Sequence, residues 1–288
     1  MSDYVIYTDS GCDLSSEKLN EYGVKSLSLT YRFNDEEKEY KTDDMPIHRF
    51  YQQMRDGRVA KTAAVNTETF RSAFEAELKA GKDVLYIGFS SGLSSTSESA
   101  QVAAKELNEK YSDRRVIAID TLCASAGEGM LVWLASKKRA EGASFLEVAE
   151  LIQGKFMSMC HWFTVDDLVY LKRGGRVSAA VALAGTVLGI KPVLHVDDEG
   201  HLISMAKARG RKQSIKALAN KFTELCEEPD GGTYFISHGD CLADAKYLEE
   251  LIEGEHGHKA ELITNVGPVI GAHSGPGTLA LFFFGKQR

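Results

Sequence analysis

A hydroxyl-rich loop is the first stretch of this sequence whose residue types could do chemistry. Residues Ser90 to Thr96 read Ser-Ser-Gly-Leu-Ser-Ser-Thr and follow an apolar run, Val84 to Phe89, that is typical of a buried strand. Helical spacing of apolar residues follows the loop, with Ser94 as a candidate N-cap. Strand, polar loop and helix N-terminus together offer hydroxyls and backbone N–H groups to an anion. The pattern fits a plain strand-to-helix connection equally well.

The segment Gly88-Phe-Ser90-Ser-Gly92 also matches the G-x-S-x-G pattern of the α/β-hydrolase nucleophile elbow. In that interpretation Ser90 is the nucleophile and His273 the base. The candidate acids are Asp166, Asp167 and Asp240. A true elbow enters its helix at once, whereas this helix is predicted to begin at Ser94 or later. A serine hydrolase acting through Ser90 is therefore the alternative hypothesis.

A basic segment, Lys172-Arg-Gly-Gly-Arg176, is the second candidate. Further basic residues follow at Lys207, Arg209, Arg211 and Lys212. Gly174 and Gly175 permit a tight turn, and the forked donors of Arg173 and Arg176 suit a carboxylate or a phosphate. The same residues fit charges at a helix end or on a solvated surface.

A glycine-rich segment, Val266 to Gly277, holds the third candidate, His273. Glycines near one histidine let the backbone bend closely around a ligand. An isolated histidine is more often a satisfied structural residue, so the segment alone does not decide between a site and a loop.

Near the N-terminus, the strand Tyr4 to Tyr7 runs into Thr8-Asp-Ser-Gly-Cys-Asp13. Asp9, Ser10 and Asp13 are either polar site residues or turn formers with a helix cap.

Strands and helices alternate through residue 155, which predicts an α/β domain with a mainly parallel sheet over residues 1–155. Leu27 to Phe33 alternates like one strand, residues 59–66 read as irregular, and Cys123 to Ala140 reads as a helix. Ligand sites are expected at the carboxyl ends of the parallel strands, where the Thr8 and Ser90 loops fall.

The second half, residues 156–288, is predicted to be an α+β domain. It begins with a strand, Cys160 to Val165, and a short helix capped by Asp166. A small apolar helix is expected over Ser178 to Leu188. A turn at Asp197 to Gly200 predicts a hairpin of adjacent strands. Leu279 to Phe284 is the final apolar strand.

Composition narrows the classes of protein. The chain has 288 residues, a formal net charge of -7 and five widely spaced cysteines. This charge argues against a nucleic-acid surface, which needs a basic stripe. No apolar run reaches the ~20 residues of a membrane span, and the N-terminus does not resemble a signal peptide. The cysteine pattern favours a reduced, cytoplasmic protein without a cysteine zinc site.

Taken together, the motifs resemble the DegV family of bacterial fatty-acid-binding proteins, including the fatty-acid-binding subunits of fatty acid kinase. The matching stretches are Thr8-Asp-Ser10, Phe89 to Thr96, Leu171 to Ser178, Gly189-Ile-Lys-Pro192, Ala208 to Lys212 and Gly267 to Gly277. They stand in the family's order over nearly the whole chain. Two positions depart from the family pattern: the segment around Thr62, and Ser95 where glycine is usual.

The resemblance implies two domains with a long-chain fatty acid between them, and no other cofactor or metal. Thr62, Ser94 and His273 become the headgroup residues, with Ser91 beside them in the loop. Arg173 and Arg176 become candidates for a kinase-facing or charge-balancing role. In the family, a separate kinase subunit phosphorylates the bound carboxylate, and the binding protein presents the substrate without doing chemistry itself. A carrier of another amphipathic carboxylate remains a further alternative.

Physical chemistry agrees with a carrier of this kind. Burial of the acyl chain is worth about 0.8 kcal/mol per CH₂, so the tail must be enclosed. An unpaired buried carboxylate is costly, so hydroxyls and a histidine must satisfy the head. On the resemblance alone, the tunnel walls are expected in Ala179 to Leu188 and in Leu279 to Phe284.

Overall fold

The structure is a computed structural model that describes residues 4–177 and 189–288. The described part contains twelve strands in three sheets. In chain order they are β1 Tyr4–Asp9, β2 Lys25–Leu27, β3 Thr30–Phe33, β4 Ala60–Ala63, β5 Asp83–Phe89, β6 Val116–Cys123, β7 Met159–Thr164, β8 Ile190–Val196, β9 Leu202–Arg209, β10 Tyr234–His238, β11 Leu262–Asn265 and β12 Leu279–Phe284. The described α-helices are Ser16–Glu21, Ile47–Arg55, Thr67–Lys79, Thr96–Lys110, Ala126–Ala140, Phe145–Lys155, Val169–Arg173, Arg211–Leu225, Leu242–His256 and Pro268–Ser274.

The first half builds a parallel sheet in the order β2-β1-β5-β6. The second half builds a mixed sheet in the order β11-β10-β12-β7-β8-β9. The predicted fold class, a parallel α/β first domain followed by a mixed second domain, is therefore confirmed. The chain passes from one sheet to the other between Lys155 and Met159. The boundary at residue 155 stays a prediction.

Helix Ala126–Ala140 lies between the two sheets and contacts β1 and β5 on one side and β10 and β12 on the other. Most of its first three turns are buried. A helix covered on two sides is expected to be apolar around most of its circumference. The first ten residues of this helix, Ala126 to Ala135, are mostly apolar. One hydrophobic cluster therefore runs through both halves of the chain and fixes their faces against each other.

The third sheet is a small antiparallel pair, β3 with β4, in which Thr62 pairs with Tyr31. Aromatic residues from β3 and from helix Ile47–Arg55 pack with Ala272 in a separate cluster. This cluster sets β4 beside helix Pro268–Ser274, which is called the His273 helix below.

Several local predictions are wrong. Leu27 to Phe33 is two strands in different sheets, residues 59–66 contain β4, and the glycine-rich segment contains the His273 helix. The helix predicted from Cys123 begins at Ala126. Asp166 does not cap its helix; Asp167 Oδ1 accepts from the backbone N–H of Val169 instead.

Other local predictions are confirmed. The hairpin forms between β8 and β9. Ser144 and Glu147 form the capping box at helix Phe145–Lys155. The helix predicted over Ser178 to Leu188, and the tunnel wall predicted there, lie outside the described residues.

Candidate functional site

The candidate site is a cavity of about 250 Å³ that contacts both halves of the chain. Its apolar walls include Leu29, Phe89, Leu93, Leu171, Leu202 and Val269. Polar side chains gather on it as well: Thr62, Ser94, Ser95, Arg176, His273 and Ser274. Apolar walls with a few converging polar groups are typical of a site for an amphipathic small molecule.

Thr62 and His273 form a direct pair. Thr62 Oγ1 and His273 Nε2 lie 2.9 Å apart, although 211 positions separate them in the sequence. β4 supplies the threonine and the His273 helix supplies the histidine. Both were expected in irregular segments, whereas the structure places Thr62 on a strand and His273 on a helix.

Gly174 closes the other side of the imidazole. A Cβ at position 174 would lie 2.2 Å from His273 Nδ1, so only glycine permits this approach. His273 Nδ1 has no hydrogen-bond partner in the part of the chain described. The ring is thus held in a narrow slot, with Nε2 directed at Thr62.

His273 is neutral near pH 7. Burial, and then the positive charge of Arg176, lowers the pKa of His273 to about 4. A neutral imidazole carries one N–H and one bare nitrogen, so it donates a single hydrogen bond. The side chain can therefore bind an anion as a hydrogen-bond donor rather than as a cation.

Ser94 lies in the turn that leads into helix Thr96–Lys110. The backbone N–H of Thr96 donates to Ser94 Oγ at 3.3 Å, and the two side-chain hydroxyls are 2.9 Å apart. The N-cap position falls on Ser95, one residue beyond the predicted one, and its side chain makes no capping bond. Ser94 still places its hydroxyl beside the helix N-terminus, where the backbone dipole favours an anion.

Arg176 brings a positive charge to the cavity. Its Nε and Nη2 atoms donate to the carbonyl of Leu93 at 3.2 and 3.0 Å, next to Ser94 in the chain. Burial lowers the pKa of the guanidinium, and no carboxylate pairs with it among residues 4–177 and 189–288. A half-buried cation without a counter-ion favours an anionic ligand in the adjoining space.

A second, more open groove of about 270 Å³ adjoins the first cavity. Thr62, Arg176 and His273 line both, so these three residues separate the enclosed apolar space from the groove. Lys61 and the exposed Arg173 lie on the groove side. Arg173 is thus outside the cavity. Arg176 belongs to the partition, the name used below for the three residues Thr62, Arg176 and His273 between the cavity and the groove.

Ser91 is not among the residues lining the cavity, in contrast to Ser94. The backbone N–H of Ser91 donates to Asp120 Oδ1 at 3.2 Å.

Strand Leu279–Phe284 does not line the cavity either. That strand lies between β10 and β7, and alternate residues pack into the two hydrophobic clusters on either face of the sheet. Its apolar residues form core, and the tunnel wall expected there stays a prediction.

The Ser90 triad of the alternative hypothesis is not assembled. Ser90 is fully buried, and its hydroxyl donates to the Gly200 carbonyl at 3.0 Å. His273 is paired with Thr62 instead. The candidate acids have other partners: Asp166 binds Lys191, Asp167 the Val169 N–H, and Asp240 both His48 and Arg55.

Sequence reasoning missed the actual apolar walls. The available signal was proximity in the chain, because Phe89 and Leu93 flank the serine loop and Val269 lies one helical turn from His273.

Within the described residues, no group of three or more potential ligands is placed to hold a metal ion. None of the helices described there combines the length and apolar character needed to cross a bilayer.

Comparison with known proteins decides the family. A family model described as an uncharacterised protein of the DegV family matches residues 3–286. A DegV domain-containing protein of Clostridium perfringens is 40% identical over 289 residues, covering 100% of this chain and 99% of that protein. The chain belongs to the DegV family.

Solved structures of DegV proteins share the fold. A DegV lipid-binding protein of Thermotoga maritima is 29% identical, covers 100% of both chains and superimposes with a TM-score of 0.83. A fatty-acid-binding DegV protein of Thermus thermophilus is 28% identical, with 98% of this chain and 99% of that chain covered and a TM-score of 0.85. A stearic-acid-binding protein of Eubacterium ventriosum is 25% identical, with 98% of each chain covered and a TM-score of 0.87.

Proposed function

We propose that this protein binds a long-chain fatty acid, with the acyl chain in the apolar cavity and the carboxylate at Thr62, Ser94 and His273. The observation that carries this is the partition itself. Two hydrogen-bonding side chains, and a guanidinium that has no carboxylate partner within the described residues, converge where the apolar cavity meets the open groove. Binding of fatty acids by relatives of the same fold supports the choice of ligand.

The charges and hydrogen-bonding groups of the site suit a carboxylate that is bound by the protein and is still accessible to a second protein. A neutral histidine and hydroxyls supply hydrogen bonds, and Arg176 supplies the charge from a position fixed by Leu93. Hydrogen bonds to charged groups contribute about 1.5–3 kcal/mol each, so the head adds specificity to a binding energy dominated by the tail.

We further propose that a partner kinase reaches the carboxylate through the groove lined by Lys61 and Arg173, and forms an acyl phosphate there. The groove is locally basic on a chain of net charge -7, and it opens next to the headgroup residues. Positive side chains there suit the phosphates that a kinase must bring to the carboxylate. In this account the binding protein presents the substrate, and the kinase performs the chemistry.

Native mass spectrometry of the purified protein, followed by lipid extraction, tests the ligand. We expect a single bound species that is recovered as a long-chain fatty acid. Titration of delipidated protein should then give tighter binding of the acid than of its methyl ester. Recovery of a different amphipathic carboxylate, or equal affinity for acid and ester, would contradict the proposal.

Reconstitution with a fatty acid kinase and ATP tests presentation. Charge reversal at the exposed Arg173 (Arg173→Glu) should lower acyl-phosphate formation and leave fatty-acid affinity unchanged. Charge reversal at Lys105, an exposed residue of helix Thr96–Lys110 that does not line the groove, is the matched control and should change neither. Equal loss of binding and phosphorylation in Arg173→Glu would place Arg173 in the lipid site instead.

A further inference from the structure

The loop that follows β1 holds the cavity together without lining it. Asp9 ends the strand, Ser10–Cys12 forms a 3-10 turn, and Asp13 adopts a left-handed backbone conformation with φ of 53°. Both carboxylates are buried. Buried acids in a short turn need several donors; Gly11 supplies one to Asp9 from within the turn, and the others come from distant segments of the chain.

Asp9 and Ser10 hold two walls of the cavity. Asp9 Oδ2 accepts from the backbone N–H of Phe89 at 3.1 Å, at the start of the serine loop. Ser10 Oγ accepts from the backbone N–H of Leu29 at 3.0 Å. Phe89 and Leu29 both line the cavity, so each contact fixes a wall through its backbone.

Asp13 holds the His273 helix. Its Oδ1 atom accepts from the backbone N–H of Gly267 at 2.9 Å, one residue before the helix begins. Oδ2 accepts from the hydroxyl of Ser125, the residue that precedes helix Ala126–Ala140 between the sheets. The hydroxyl of Thr264 donates to the Asp13 carbonyl at 3.0 Å. Three segments therefore meet on one residue.

We propose that the Asp9–Asp13 loop is the positioning element of the headgroup site, and that Asp13 sets the placement of His273. The proposal rests on the proposed function, because it concerns the same site. Asp13 lies at the opposite end of the helix from His273 and acts through the backbone N–H of Gly267. A small shift of this seven-residue helix would move the imidazole away from Thr62.

Two substitutions separate the hydrogen bond from the backbone conformation. Asp13→Asn keeps an oxygen acceptor and tolerates the left-handed conformation, whereas Asp13→Gly keeps only the conformation. Burial raises the pKa of Asp13 to about 7, opposed by the hydrogen bonds from Ser125 and Gly267, so asparagine also resembles the neutral form of this side chain. Gly267→Ala reaches the same contact from the other side, because its Cβ would lie 2.7 Å from Asp13 Oδ1.

The test measures binding of a fatty acid and of the primary alcohol of the same chain length, which has the tail but no carboxylate. Wild type should prefer the acid. Asp13→Gly and Gly267→Ala should each lower acid affinity about tenfold, the loss of one hydrogen bond, with alcohol affinity unchanged. Asp13→Asn should restore most of the acid affinity. The carboxyl ¹³C shift of labelled fatty acid should move in the two weakened variants and return toward wild type in Asp13→Asn.

Equal losses for acid and alcohol would overturn the inference, since they would show a merely structural anchor. Unchanged acid affinity in both weakened variants would overturn it too. If Asp13→Gly fails to fold, the acid and alcohol affinities of Gly267→Ala alone test the inference. Wild type that binds neither acid nor alcohol would refute the proposed function and this inference with it, whereas wild type that binds the acid while the variants behave like wild type would refute only the inference.

Discussion

Replacing His273 with alanine removes a side chain that we propose to donate a hydrogen bond to the fatty-acid carboxylate. Nε2 lies 2.9 Å from Thr62 Oγ1, and the pKa of about 4 keeps the ring neutral at pH 7. The loss is therefore one hydrogen bond to a charged acceptor, about 1.5–3 kcal/mol, or roughly ten- to a hundredfold in affinity for the acid. The apolar walls are untouched, so the methyl ester should bind His273→Ala about as well as it binds wild type.

Titration calorimetry with delipidated protein measures both affinities. His273→Gln is the matched control, because its amide nitrogen can take a place near Nε2 in the slot against Gly174. We expect it to recover much of the lost acid affinity. Unchanged acid affinity in His273→Ala, or equal losses for acid and ester, would refute the assignment of His273 to the carboxylate.

The remaining predictions concern charge, pH and the serine loop. Arg176→Gln should weaken acid binding, because it removes the half-buried charge beside the cavity, whereas Arg173→Gln should not; equal calorimetric effects would contradict the partition. The depressed pKa of His273 means that the unfolded chain binds more protons between pH 6.5 and about 4, so this residue's contribution to stability is lost as pH falls through that window, by on the order of 3 kcal/mol in full. Denaturant unfolding should therefore show wild type losing stability relative to His273→Gln as pH falls from 6.5 to about 4, and a difference that stays constant with pH would contradict this. A fluorophosphonate probe should leave Ser90 unlabelled, since its hydroxyl donates to Gly200; stoichiometric labelling abolished in Ser90→Ala would revive the hydrolase hypothesis.

The fold class could be predicted because buried strands and amphipathic helices carry their period in the local sequence. The His273 helix could not, since it is only seven residues long, between Gly267 and Gly275, and Gly271 within it lowers helix propensity. Tertiary contacts hold it instead: Asp13 at its start, and Tyr51, whose hydroxyl donates to the Val266 carbonyl at 2.7 Å. The local sequence does not predict contacts between segments that lie so far apart in the chain.

β4 was missed for a related reason. Ala60-Lys-Thr-Ala63 has little strand propensity, and its partner β3 is about thirty residues upstream. The family resemblance nevertheless pointed to Thr62, Ser94 and His273, which line one cavity, although the segment around Thr62 departs from the family pattern. The walls of the described cavity were not predicted, because an apolar run such as Leu279–Phe284 reads the same whether it lines a cavity or crosses the middle of a sheet.

A crystal structure of the protein with a bound long-chain fatty acid tests the central claim most directly. The account predicts carboxylate oxygens within hydrogen-bonding distance of Thr62 Oγ1, Ser94 Oγ and His273 Nε2, with the acyl chain against Phe89, Leu171 and Val269 and their neighbours in the cavity wall. A carboxylate bound elsewhere, or an acyl chain outside this cavity, would contradict it.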